Sequence, residues 1–62
     1  MSFIKVNVKQ THKNVVREQR LNPRFISDYW QGTEDGVVMV SHNGSTLSVL
    51  IDIATLDAML VG

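Results

Sequence analysis

The chain contains no cysteine, so no disulfide can brace it and no thiolate can act as nucleophile or metal ligand. Proline occurs once, at Pro23, and the four glycines stand at 32, 36, 44 and 62, too scattered for a loop that cradles phosphate. No apolar run approaches the roughly 18 residues of a membrane span. The opening stretch MSFIKVNVKQ has no apolar segment behind a basic one, so no signal peptide is expected and a cytoplasmic location is the default expectation. Aromatic residues are confined to Phe3, Phe25, Tyr29 and Trp30. At 62 residues the chain is a single domain near the lower limit for folding without staples, because a domain of this size buries only about 60% of its unfolded surface. An efficient β-rich core, helped by self-association into a homo-oligomer, is the expected way out.

Basic residues are missing from the whole C-terminal part. Lys5, Lys9, Lys13, Arg17, Arg20 and Arg24 all precede Phe25 and are opposed there only by Glu18, a net charge of +5; beyond Phe25 stand Asp28, Glu34, Asp35, Asp52 and Asp57, a net of −5. The net charge of the chain is zero, which argues against strong nonspecific binding to nucleic acid, since that is driven by phosphate neutralisation. A split of this kind suits opposite charges brought together within one fold, a basic surface for nucleic acid or an acidic partner, or complementary patches that dock one copy on another.

What is present is a strong β pattern, centred on GVVMVSHNGSTLSVLID, from Gly36 to Asp52. Two β-branched runs, Val37 to Ser41 and Thr46 to Ile51, flank Asn43-Gly44, the dipeptide best suited to the two positive φ angles of a type I′ hairpin turn. The register that follows pairs His42 with Ser45 and continues outward to Val37 with Leu50. Val38, Val40, Leu47, Val49 and Ile51 then share one face, a core face, while Val37, Met39, Ser41, Thr46, Ser48 and Leu50 share the other. The second face is apolar at its open end and is either covered by another element or offered to a partner.

Phe3 to Lys9 alternates as a half-buried strand, with Ile4, Val6 and Val8 inward. Gln10 to Asn14 is polar and reads as a loop. Val15 to Leu21 reads as a strand pairing back on the first, since a helix capped by Thr11 would have too narrow an apolar stripe. The basic residues step by 4, 4, 4, 3 and 4, which is helical spacing, but a continuous helix would have to include the β-branched alternation of Ile4 to Val8. Asn22-Pro23 opens a tight turn through Phe25. The next strand, Phe25 to Trp30, sends Ile26 and Trp30 one way and Tyr29 the other by simple alternation, so Trp30 is expected to join Ile26 in the core with Tyr29 over the C-terminal helix; the competing arrangement leaves one aromatic free as an anchor. Gly32 to Gly36 is a turn into the central hairpin. Asp52 caps a short helix from Ile53 to Leu60, with Ile53, Leu56 and Leu60 on one face; Val37, Met39 and Leu50 offer one place for it to pack. The fold class expected is α+β, a small antiparallel β-meander sheet of four or five strands with one short C-terminal helix.

No catalytic constellation stands out. His12 and His42 are lone residues, Glu34-Asp35 lie in a glycine-bounded turn, and serines 27, 41, 45 and 48 have no triad partner in the sequence. No metal site and no cofactor are expected, and the chain reads as non-enzymatic. Binding is the chemistry expected, with Tyr29, Trp30, Met39 and Leu50 as candidate partner contacts. Lys9, Lys13, Arg17, Arg20 and Arg24 are candidates for contact with an acidic partner or with phosphates, in which case Tyr29 or Trp30 stacks on a base.

Leu21, Asn22 and Ile26, then Asn43-Gly44, then Val49 and the helix from Ile53, follow in an order that resembles the small FlbD/SwrD-type flagellar and swarming-motility proteins over residues 21–60. The same order is similar to the closing half of LytTR-type DNA-binding domains. The first resemblance implies a non-enzymatic regulatory or adaptor protein, the second DNA contact through the basic half. The segment from Gln10 to Arg20 is longer and more basic than the flagellar pattern, and the chain is shorter than a whole LytTR domain. A protein-binding regulator of unknown partner is therefore the leading expectation, a nucleic-acid-binding regulator the alternative, and a phage or mobile-element modulator of a host protein a further one.

Overall fold

A computed structural model describes residues 3–10 and 15–61. Five strands, β1 (Ile4–Gln10), β2 (Val15–Leu21), β3 (Ile26–Gln31), β4 (Val37–His42) and β5 (Ser45–Leu50), form one antiparallel sheet in the order β2-β1-β5-β4-β3, followed by the helix α1 (Ile53–Val61). The fold is therefore the small α+β arrangement that the alternating pattern and the capped terminal segment require. His12, Lys13 and the rest of the expected loop over residues 11–14 lie outside the described residues.

The central hairpin is fixed by its turn. Asn43 has φ 49° and Gly44 φ 84°, both in the left-handed region, so the twist of the two-residue turn matches that of the strands it joins. The register runs from His42 with Ser45 to Val37 with Leu50. β1 lies beside β5, with Val8 opposite Val49 and Lys9 opposite Ser48, and β2 returns antiparallel along the outer edge of β1 from Val15 opposite Gln10 to Leu21 opposite Ile4. Between β2 and β3 a single 3-10 turn, Pro23–Phe25, is set by its ends: the Asn22 side chain accepts a hydrogen bond from the Arg24 N–H at 3.0 Å, and Pro23 supplies the φ that the first turn wants.

The core is one layer thick. Ile4, Val6, Val8, Leu21, Val38, Val40, Val49 and Leu56 are buried, and Ile26, Tyr29, Leu47, Ile51, Ile53 and Leu60 pack around them. Burying a Leu or Val contributes about 1.5–3 kcal/mol. The helix therefore lies over the face carrying Val38, Val40 and Val49, and not over Val37, Met39 and Leu50, the place the sequence offered. The reason is area: β1 joins its three inward side chains and β2 its Leu21 to the hairpin's, making the first face the larger apolar surface. Leu56, 1% exposed, seals it. Asp52 caps the helix, its carboxylate accepting from the Ala54 N–H at 3.2 Å.

A second correction concerns β3. Simple alternation puts Ile26 and Trp30 on one face, but the pairing with β4 goes from Ile26 opposite His42 directly to Asp28 opposite Ser41, so Ser27 is an extra residue in a β-bulge. The bulge resets the phase. Ile26 and Tyr29 both face the core, and Trp30, expected inside, stands opposite Met39 on the outer face with 44% of its surface exposed.

Candidate binding face

The sheet has two unlike sides. One lies under α1. The other carries no element among the described residues, and its composition follows from strand alternation: Lys5, Asn7 and Lys9 from β1, Val16, Glu18 and Arg20 from β2, Thr46, Ser48 and Leu50 from β5, Val37, Met39 and Ser41 from β4, and Asp28 and Trp30 from β3. One row crosses all five strands: Val16, Lys9, Ser48, Met39, Trp30. Val37 and Leu50 form the adjoining pair on the central hairpin.

The apolar members are only partly shielded. Trp30, Leu50 at 37% and Val16 at 51% are exposed, while Val37 and Met39 are half-buried because the Gly32–Gly36 loop leans over them. That loop is held by backbone and side chain together. The Gly32 N–H donates to the Val37 carbonyl at 2.9 Å, and the Gln31 amide donates to the Glu34 and Val37 carbonyls, each at 3.2 Å. Under the loop is a recess of about 170 Å³ lined by Lys9, Thr33, Glu34, Val37, Met39 and Ser48. A cavity of about 150 Å³ takes a benzene ring, so this one has room for a single large side chain. Its floor is apolar, and it has a cationic wall at Lys9 and an anionic one at Glu34.

Of the four residues expected to contact a partner, Trp30, Met39 and Leu50 meet on this face and Tyr29 does not. Tyr29 stands opposite Val40 on the helix side, where its hydroxyl donates to the Asp57 carboxylate of α1. That hydrogen bond, with a smaller effect of burial and of the Asp57 charge, raises the Tyr29 pKa above its ordinary 10.0. The basic residues separate too. Lys9 and Arg20 are on the open face with Lys5, Arg17 lies on the helix side opposite Val8, and Arg24 projects from the 3-10 turn. Lysine and arginine at helical spacing thus do not form one stripe, because the segment is a hairpin.

Four residues have roles that the sequence did not reveal. His42 is half-buried, its Nε2 accepting the Asn22 backbone N–H at 3.3 Å and its ring meeting Phe25 edge-on at 6.0 Å, so it ties the 3-10 turn to the end of β4. Glu34 and Thr33, legible only as turn residues, become the rim of the recess. Ser27 Oγ lies 3.1 Å from both the Asp28 carboxylate and Ser41 Oγ, an exposed cluster that fastens the bulge. Among the described residues no group of three or more His, Asp or Glu side chains is placed to hold a metal ion, and no helix is long and apolar enough to cross a membrane.

Comparison with protein-family models, with curated proteins and with solved structures gives no match for this chain. The fold and site define its class: a small α+β domain whose sheet is covered on one side and, among the described residues, open on the other, where a tryptophan is exposed.

Proposed function

We propose that this is a small non-enzymatic regulatory or adaptor protein that acts by binding another protein through the open face of its sheet. One observation carries the reading: Trp30, Met39, Val37 and Leu50 form an apolar patch around a recess that the fold leaves unfilled, on a chain that has little apolar surface to spare. A large aromatic beside a socket, flanked by Lys9, Glu34 and Asp28, has the make-up of an interface anchor with a polar rim. The proposal agrees with the role implied by the resemblance to FlbD/SwrD-type proteins.

A nucleic-acid reading has its own support. Lys5, Lys9 and Arg20 share the face with Trp30, which gives phosphate contacts beside a stacking ring. Against it, Glu18, Asp28 and Glu34 occupy the same face. A retardation series with single-stranded and duplex nucleic acid at two salt concentrations separates the two. Protein binding predicts no shift at physiological salt; tight, steeply salt-dependent retardation that Trp30→Ala abolishes overturns it in favour of nucleic acid.

A further inference from the structure

We infer that the partner on the open face is a second copy of this chain, stacked face to face about a two-fold axis that runs parallel to the strands over β5. This rests on the reading of the open face as a protein-binding surface and adds the identity and geometry of the occupant. The argument is the distribution of charge and apolar groups about the middle strand. With the order β2-β1-β5-β4-β3, β5 has two strands on each side. Rotation about an axis along it lays β1 of one copy on β4 of the other, and β2 on β3, while keeping each residue at its own level along the strands. The row Val16, Lys9, Ser48, Met39, Trp30 then meets itself reversed. Val16 faces the partner's Trp30, the aliphatic stem of Lys9 crosses the partner's Met39, and Ser48 meets the partner's Ser48 at the axis.

Charge obeys the same symmetry. Lys5 and Arg20, paired across β1 and β2, sit two same-face levels from Lys9, about 13 Å along the strands. Because β1 and β4 run parallel to each other, the loop that precedes β4, with Glu34 and Asp35, rises from that same end of the sheet on the opposite side of β5, and Glu34 leans from it over the recess beside Lys9 and Met39. The two-fold axis therefore turns the basic strands of each copy, with Lys5, Lys9 and Arg20, toward the Glu34-Asp35 loop of the other. Rotation about an in-plane axis perpendicular to the strands would instead lay β1 on β1 and β2 on β2, the basic strands against themselves, and the charges oppose it. The molecule measures 31 × 20 × 18 Å, so its broad face, about 600 Å², lies at the low end of the roughly 600–1,000 Å² per partner of a stable interface. Any other target of the face competes with this pairing.

Light scattering on a size-exclusion column at tens of micromolar tests the proposal, with circular dichroism to verify that each variant is folded. Wild type is expected as a dimer and Met39→Lys as a monomer. The double variants Lys5→Glu/Arg20→Glu and Glu34→Lys/Asp35→Lys should each be monomeric, and an equimolar mixture of the two should regain the dimer, because the mixed pair restores both charge contacts. A monomeric wild type overturns the second-copy assignment while leaving the open-face reading to the retardation series. A dimer that Met39→Lys does not disturb, or two double variants that fail to rescue each other, overturns the geometry.

Discussion

At the scale of single residues, the account turns on positions where one side chain or one φ angle decides an outcome. Gly44 has φ 84° and no atom within 4 Å of the place a Cβ would take, so a substitution there meets conformational strain and no collision. Gly44→Val should cost on the order of 1–2 kcal/mol, read as a lower urea midpoint with unchanged slope. Tyr29 gives a pH dependence of definite sign. Its hydrogen bond to Asp57 keeps the phenol protonated in the folded state above the ordinary 10.0, so the folded chain holds a proton that the unfolded chain releases. This stabilisation is complete below pH 10 and is lost as pH rises through the raised folded value. Tyr29→Phe should melt lower than wild type at pH 8, and the gap should close on alkaline titration. The Asn43-Gly44 turn was legible in the sequence because its physics is local. The roles of His42 and Tyr29 were not, since each depends on a partner far along the chain.

The elements show why some pairings were readable and others were not. Strand alternation, the Asn-Gly turn and the Asn22-Pro23 break gave β1, β2, β4, β5 and the 3-10 turn with their faces, because each rests on neighbouring residues. β3 defeated the same rule. A bulge changes the phase of alternation by one residue, and ISDYW carries no glycine or other local mark of it at Ser27. Deleting Ser27 should therefore leave Ile26 and Tyr29 facing the core and the protein folded, with a thermal transition close to wild type. Deleting Met39 from β4 has no bulge to absorb it and turns one side of that strand over, which should abolish the cooperative transition. The face chosen by α1 was hidden for another reason. Ile53, Leu56 and Leu60 show which side of the helix is apolar, but which side of the sheet it covers depends on the summed area of four strands.

For the molecule as a whole, the consequence is economy: a short chain uses one face of its sheet to fold and leaves the other uncovered among the described residues. The covered face holds every buried residue but the helix's own Leu56, which closes it. The open face carries the exposed Trp30, the recess and about half of the charged residues that the sequence separates into a basic and an acidic half. That separation looks unrelated to function along the chain and becomes a two-sided pattern once β1 and β2 lie to one side of β5 and the Glu34-Asp35 loop to the other. Val38 and Met39 are neighbours on β4 and point in opposite directions, so they test this division most directly. Thermal unfolding of Val38→Lys and Met39→Lys, measured at low micromolar concentration, should show Val38→Lys without a cooperative transition and Met39→Lys folded with a transition within a few degrees of wild type. Equal loss in both, or a folded Val38→Lys beside an unfolded Met39→Lys, would contradict the account.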